Sequence, residues 1–166
     1  PGCFTHVFIS YYQSEAREQT TLFSNDLTRN GLKGWLDSNV KHHPDPNQQD
    51  LGLTAMKKGV ETSMVYLLYL TPNVMTRPYV RMELQTALSL KKPILFMKAD
   101  PNFDFATLMI VPSSVQDEFE EVNGKAISEA VKSLASEVMA FPFEKDGGKA
   151  DIIIKDNIIK FLYEND

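Results

Sequence analysis

The sequence predicts an α/β domain in which a parallel sheet is covered by helices on both faces. Two observations carry this. Runs such as "HVFIS" (6–10), "MVYLLYLT" (64–71) and "KPILFM" (92–97) are apolar without in–out alternation, the pattern of strands buried on both sides. Amphipathic stretches of helical period separate them, so strand and helix alternate along the chain. Right-handed crossovers then leave few topologies open.

Taken in order, 6–10 is the first strand and "SEAREQTTLFSNDLTRNG" (14–31) the first helix, with Ser14 a candidate N-cap and Asn30-Gly31 a stop signal. "LKGWLD" (32–37) is the second strand. The polar stretch "SNVKHHPDPNQQ" (38–49) holds two prolines and is expected to be irregular. Leu53, Met56 and Val60 recur at helical spacing through 50–62. The third strand is 64–71, the next helix 78–91, and 92–97 the fourth strand. Past Asp100 the pattern is weaker: 102–114 is irregular around a short apolar piece. Ile127, Val131, Leu134 and Val138 mark a helical face within 124–139. "MAFPFE" (139–144) is expected to be a fifth strand at an edge, where Pro142 is tolerated. "DGG" (146–148) breaks the chain, and a last helix over 150–164 turns Ile154, Ile158, Phe161 and Leu162 inward.

The totals narrow the function classes. With 166 residues, 43% hydrophobic and 23% charged, the chain suits one folded domain spanning 1–166. It begins at Pro1 rather than at methionine, so it is expected to be a piece of a longer protein. Net charge is −5 and no basic stripe runs along the chain, which argues against a nucleic-acid partner. The longest apolar run, "MVYLLYL", is strand-sized, far short of the ~20 residues of a membrane span. The single cysteine, Cys3, cannot form an internal disulfide, which fits a reducing, cytoplasmic compartment. His42 and His43 lie in a polar stretch with only Asp45 and Asp50 for company, a solvated loop rather than a metal site.

The helix "RPYVRMELQTALSL" (77–90) holds the most informative residue. At roughly 100° per residue, Val80, Leu84, Ala87 and Leu88 share one apolar arc, flanked by Tyr79 and Leu90. Arg81, Gln85 and Ser89 take the opposite face, yet Glu83 falls inside the arc between Val80 and Ala87. A carboxylate taken out of water is costly unless something pairs with it. By composition alone it would sit at the edge of the arc and reach solvent. In a parallel α/β sheet, ligands settle beyond the C-terminal strand ends. That edge gathers Ser10-Tyr11-Tyr12, Asp37-Ser38 and Thr71-Pro72, with Tyr79 and Glu83 in the helix that leaves the third strand.

The segments "FTHVFISYYQSEA", "GLKGWLDS", "MKKGVETSMVYLLYLT", "YVRMELQTAL" and "KPILFM", taken together over residues 4–98, resemble a TIR (Toll/interleukin-receptor-type) domain. The resemblance implies a flavodoxin-like fold: a five-stranded parallel sheet with helices on both faces. It also implies two functional alternatives, an enzyme that cuts NAD+ at the nicotinamide–ribose bond or a scaffold that assembles signalling complexes with other TIR domains. In the enzymes the glutamate of the "aromatic-x-x-x-E-L" helix is catalytic, and Glu83 matches it. A fixed carboxylate there stabilises the oxocarbenium-like sugar left when cationic nicotinamide departs. One carboxylate suffices, because that leaving group needs no general acid, and NAD+ is the substrate with no further cofactor or metal.

Ser10, Tyr11 and Tyr12 match the loop that lines the nucleotide cleft, and Tyr79 stands where many of the enzymes have tryptophan. Trp35 and Asp37 match the second-strand box; Trp35 also suits plain core, whereas Asp37, at the sheet edge, is the better ligand candidate. Three departures stand out. "WC" before the glutamate reads Tyr79-Val80, the 38–50 loop is long, and the first loop reads "YYQ" without arginine. Phosphate binding then falls to backbone N–H groups or to a cation such as Arg77 or Arg81. The enzymatic reading predicts an open pocket with Glu83 exposed at its base and activity that rises on self-association. The scaffold reading predicts a closed pocket. A nucleoside deoxyribosyltransferase-like enzyme fits less well, since no nucleobase-recognition feature is found. A receiver-type domain is disfavoured by "FISYYQ" where an acidic cluster belongs.

Overall fold

The structure, a computed structural model, describes residues 5–36, 46–98, 103–108, 127, 129–131, 133, 140–142 and 154–164. Strand β1 is Thr5–Ser10, followed by helix α1 (Gln13–Arg29) and strand β2 (Gly34–Leu36). Helix α2 (Pro46–Glu61) leads into the central strand β3 (Ser63–Leu70). A 3₁₀ turn (Val74–Thr76) then opens helix α3 (Pro78–Ser89), and β4 is Ile94–Lys98. Strand β5, Ala140–Pro142, and a C-terminal π-to-α segment, Ile154–Ile159 and Lys160–Glu164, complete the fold. All strands are parallel, in the order β2-β1-β3-β4-β5. The sheet expected from the sequence is therefore present, with β5 at the edge, the position where a proline such as Pro142 is tolerated.

Alternation along β3 separates two cores. Val65, Leu67 and Tyr69, with Val7 and Ile9 of β1, pack against Ala16, Phe23 and Leu27 of α1 and against Ile158 and Leu162. Tyr66, Leu68 and Leu70, with Phe8, pack against Met56 and Val60 of α2, Val80, Leu84 and Ala87 of α3, and Ile127 and Val131. Because both faces are covered, β3 is a continuous run of Met, Val, Leu and Tyr from Met64 to Leu70, which is why its sequence shows no alternation. At β1 and β2, Phe8 stacks on Trp35 with centroids 4.7 Å apart and on Tyr66 at 5.7 Å. Helix α2 approaches this stack through Gly59, where an added Cβ would lie 2.9 Å from Trp35 Cε2.

The helix ends show where local signals mislead. Ser14 is not the cap of α1. It is the helix's second residue, and Tyr12 occupies the N-cap position with extended backbone and no side-chain capping bond. The C-terminal stop behaves as expected. Gly31 has φ +78, and the N–H groups of Gly31 and Leu32 return to the carbonyls of Thr28 and Leu27 at 3.0 and 2.9 Å. Helix α2 starts at Pro46, inside the stretch expected to be irregular, because a proline in the first turn gives up only an N–H that has no helical partner. Residues 37–45, with Asp37, His42 and His43, lie outside the described residues, as do Cys3, Leu134 and Val138.

Candidate functional site

Strand order turns about β1: β2 lies on one side of it and β3 on the other. This reversal leaves a crevice beyond the carboxyl ends of β1 and β3, the usual ligand position in open α/β sheets. A cavity of about 290 Å³ occupies it, lined by Tyr11, Tyr12, Gln13, Ser14, Arg77, Tyr79 and Val80. One wall is thus the turn from β1 into α1, and the other is the entry to α3.

The α3 wall is set by local chemistry. A residue before proline is steered to extended backbone, and Arg77 has φ −89 and ψ 122 ahead of Pro78, the first residue of α3. That geometry carries the Arg77 guanidinium over the Tyr12 ring, 4.9 Å from its centroid. A second link ties the two walls together. The Glu15 carboxylate accepts hydrogen bonds from Thr71 Oγ1 at 2.7 Å, the Asn73 backbone N–H at 3.0 Å and Asn73 Nδ2 at 2.9 Å. The first turn of α1 is therefore clamped to the loop that delivers Arg77 and Tyr79.

Of the residues singled out in the sequence, Tyr11, Tyr12 and Tyr79 come together at this cavity. Ser10 and Glu83 do not line it. Ser10 is fully buried at the end of β1, and its hydroxyl has no hydrogen-bond partner among the described residues. Glu83 is only 1% exposed and its Oε2 is sealed from solvent. It follows Val80, the last lining residue, by about one turn of α3. The expectation of a glutamate exposed at the base of an open pocket, like that of one extended to water, is corrected. Helix α3 touches α2 as well as β1, β3 and the 3₁₀ turn, so its inward arc is covered from more than one side.

The same crowding corrects the placement of Arg81, expected on the solvent face. It is 3% exposed, and its Nη1 donates to the Met75 carbonyl at 2.9 Å. Arg81 is engaged in holding the 3₁₀ turn, which leaves Arg77 as the cation at the cavity among the described residues. Trp35 is away from the cavity, in the stack with Phe8. Asp37 lies outside the described residues.

Sequence reasoning missed Glu15, Gln13 and Ser14. A glutamate in a first helical turn reads as a complement to the helix dipole, and nothing local announces partners near residue 71. Among the described residues no group of three or more His, Cys, Asp or Glu side chains could hold a metal ion, and no helix is long and apolar enough to cross a membrane.

Comparison with known proteins supplies the remaining observation. A family model described as TIR domain matches residues 7–124. No curated protein matches the chain. Among solved structures, the chain is similar to the TIR domains in the activated Roq1 resistosome directly recognizing the pathogen effector XopQ. That similarity has 16% identity and a TM-score of 0.62, covering 92% of this chain and 99% of that one. It is also similar to the TIR domain of the Toll-related Receptor TRR-2 from the lower metazoan Hydra magnipapillata, at 14% identity and TM-score 0.50, covering 96% and 98%. At these identities the likeness is one of fold.

Proposed function

The chain belongs to the TIR domain family, and from that premise we propose that it is an NAD+ nucleosidase, releasing nicotinamide and ADP-ribose or a cyclic ADP-ribose isomer. The observation that carries this reading is the position of Glu83. It is a carboxylate on the inward arc of α3, one turn beyond the cavity wall at the β1/β3 switch point and withdrawn from water. A carboxylate in such a dry setting acts strongly on charge that develops beside it.

In the reaction, the bond between the nicotinamide nitrogen and ribose C1′ breaks, and both electrons leave with the now neutral ring. The sugar is left as an oxocarbenium-like cation, which Glu83 stabilises. Water then adds at C1′ and loses a proton, or an adenine nitrogen of the same molecule adds instead. Tyr79, at the cavity, offers its ring to the departing nicotinamide or to the ribose. The cavity ends at Val80, so productive binding requires that it deepen by the three-residue rise of α3, about 4.5 Å, to reach Glu83. Self-association with other copies of the domain is the event that this reading assigns to that opening, in a cytoplasmic setting.

The test is incubation of the protein with NAD+, following nicotinamide by chromatography beside Glu83→Gln and Glu83→Ala variants. The expected loss is roughly 10²–10³-fold in kcat. Equal turnover in all three proteins would remove Glu83 from the mechanism. A second reading, a non-catalytic assembly module, is favoured by one specific observation: Glu83 is buried and does not line the cavity. It is the outcome if no protein, even at high concentration, releases nicotinamide.

A further inference from the structure

The loop that leaves β1 carries no basic residue: Tyr11, Tyr12, Gln13 and Ser14 form that side of the cavity. The positive charge comes instead from the opposite wall. We propose that Arg77 is the phosphate anchor of this site, recognising the diphosphate of a nucleotide ligand together with the first backbone N–H groups of α1.

Four observations support the assignment. Arg77 is the one charged residue among the described residues that line the cavity. Its guanidinium lies over the Tyr12 ring at 4.9 Å, a cation–π contact that holds the charge at the cavity wall. Arg81, the alternative cation on the same helix, is buried and committed to the Met75 carbonyl. Finally, α1 is 17 residues long and Tyr12 gives its N-terminus no side-chain cap. The N–H groups of Gln13 and Ser14, both at the cavity, therefore have no acceptor within the helix. Glu15, the nearest carboxylate on that helix, is turned to Thr71 and Asn73 and has its oxygens occupied there.

An anion between these walls meets a planar fork of donors on one side and the positive end of a helix on the other. At about 290 Å³ the cavity suits a diphosphate with an attached ribose rather than a whole dinucleotide. The identity of the ligand as a dinucleotide rests on the nucleosidase reading; recognition of the diphosphate by Arg77 does not.

The experiment is calorimetric titration of ADP-ribose, and separately of adenosine, into the full chain and its Arg77→Gln and Arg77→Lys variants, beside NAD+ kinetics. Arg77 is exposed, so both variants are expected to fold, and circular dichroism checks this. Arg77→Gln should weaken ADP-ribose binding at least tenfold, with Arg77→Lys in between and adenosine responding alike in all three. In turnover, KM for NAD+ should rise while kcat changes little. Unchanged ADP-ribose affinity in Arg77→Gln, an equal loss for adenosine, or no binding of ADP-ribose by the unmodified chain would each overturn the proposal. Arg77-dependent binding of ADP-ribose without any release of nicotinamide would instead sink the nucleosidase reading and leave the anchor standing.

Discussion

Glu83 and Tyr69 pose the same problem with different answers. Each places a titratable group in the interior. For Glu83 the proposed return is catalytic, and substitution is read in turnover. For Tyr69 the return is packing: its ring fills the core beneath α1, and its hydroxyl has no hydrogen-bond partner among the described residues. Burial raises its phenol well above the ordinary value of 10.0. The unfolded chain gives up that proton from about pH 10 while the folded chain keeps it, so the unfolded state binds fewer protons there. The Tyr69 contribution is complete below pH 10 and declines by about 1.4 kcal/mol for each pH unit above it. Urea denaturation from pH 8 to 11 should show a steeper alkaline loss for the unmodified protein than for Tyr69→Phe. At pH 7 the variant should be at least as stable, because it removes a hydroxyl that gains nothing in the core. A loss above about 1 kcal/mol at neutral pH would reveal a partner for the hydroxyl.

Between elements, two contacts decide the shape of the site. The Glu15 clamp joins α1 to the loop after β3 through three hydrogen bonds to one carboxylate. Glu15→Ala should cost about 1–3 kcal/mol. A double-mutant cycle with Asn73→Ala should recover a coupling of at least 0.5 kcal/mol. Additive effects would show that the carboxylate does not act through Asn73. The other contact is the seat of α2 on the sheet at Gly59. A methyl group there would lie 2.9 Å from Trp35 Cε2 and 3.1 Å from Phe8 Cε2. Gly59→Ala gains about 1 kcal/mol of helix propensity, but crowding two stacked rings costs about 1–3 kcal/mol. Net destabilisation is expected, relieved by Trp35→Phe in the same chain. A Gly59→Ala variant more stable than the parent would mean that the rings yield freely.

At the scale of the whole molecule, the sheet order brings the ends of β1 and β3 together, and everything proposed for the site lies on the two connections that leave them. If self-association opens the way past Val80, nicotinamide release per mole of protein should rise with protein concentration. A specific activity flat across a hundredfold range, in protein that is active, would separate catalysis from assembly. The strand runs, the Asn30-Gly31 stop and the inward arc of α3 were legible because they are set by local periodicity and backbone preference. The burial of Arg81 was not legible, since its guanidinium turns back to the Met75 carbonyl of the 3₁₀ turn, a contact that helical periodicity does not encode.

What the amino-acid order determined by itself was the alternation of buried strands and amphipathic helices, and with it the parallel sheet and the family resemblance. What only the tertiary structure decided was which side chains meet. Arg77 reaches the Tyr12 ring, Glu15 reaches Asn73, and Glu83 is drawn behind the cavity wall rather than onto its floor. The physical reason is that a helix or strand is stabilised mainly by neighbours in sequence. Convergence at the β1/β3 crevice instead depends on crossovers that bring distant segments to one edge of the sheet.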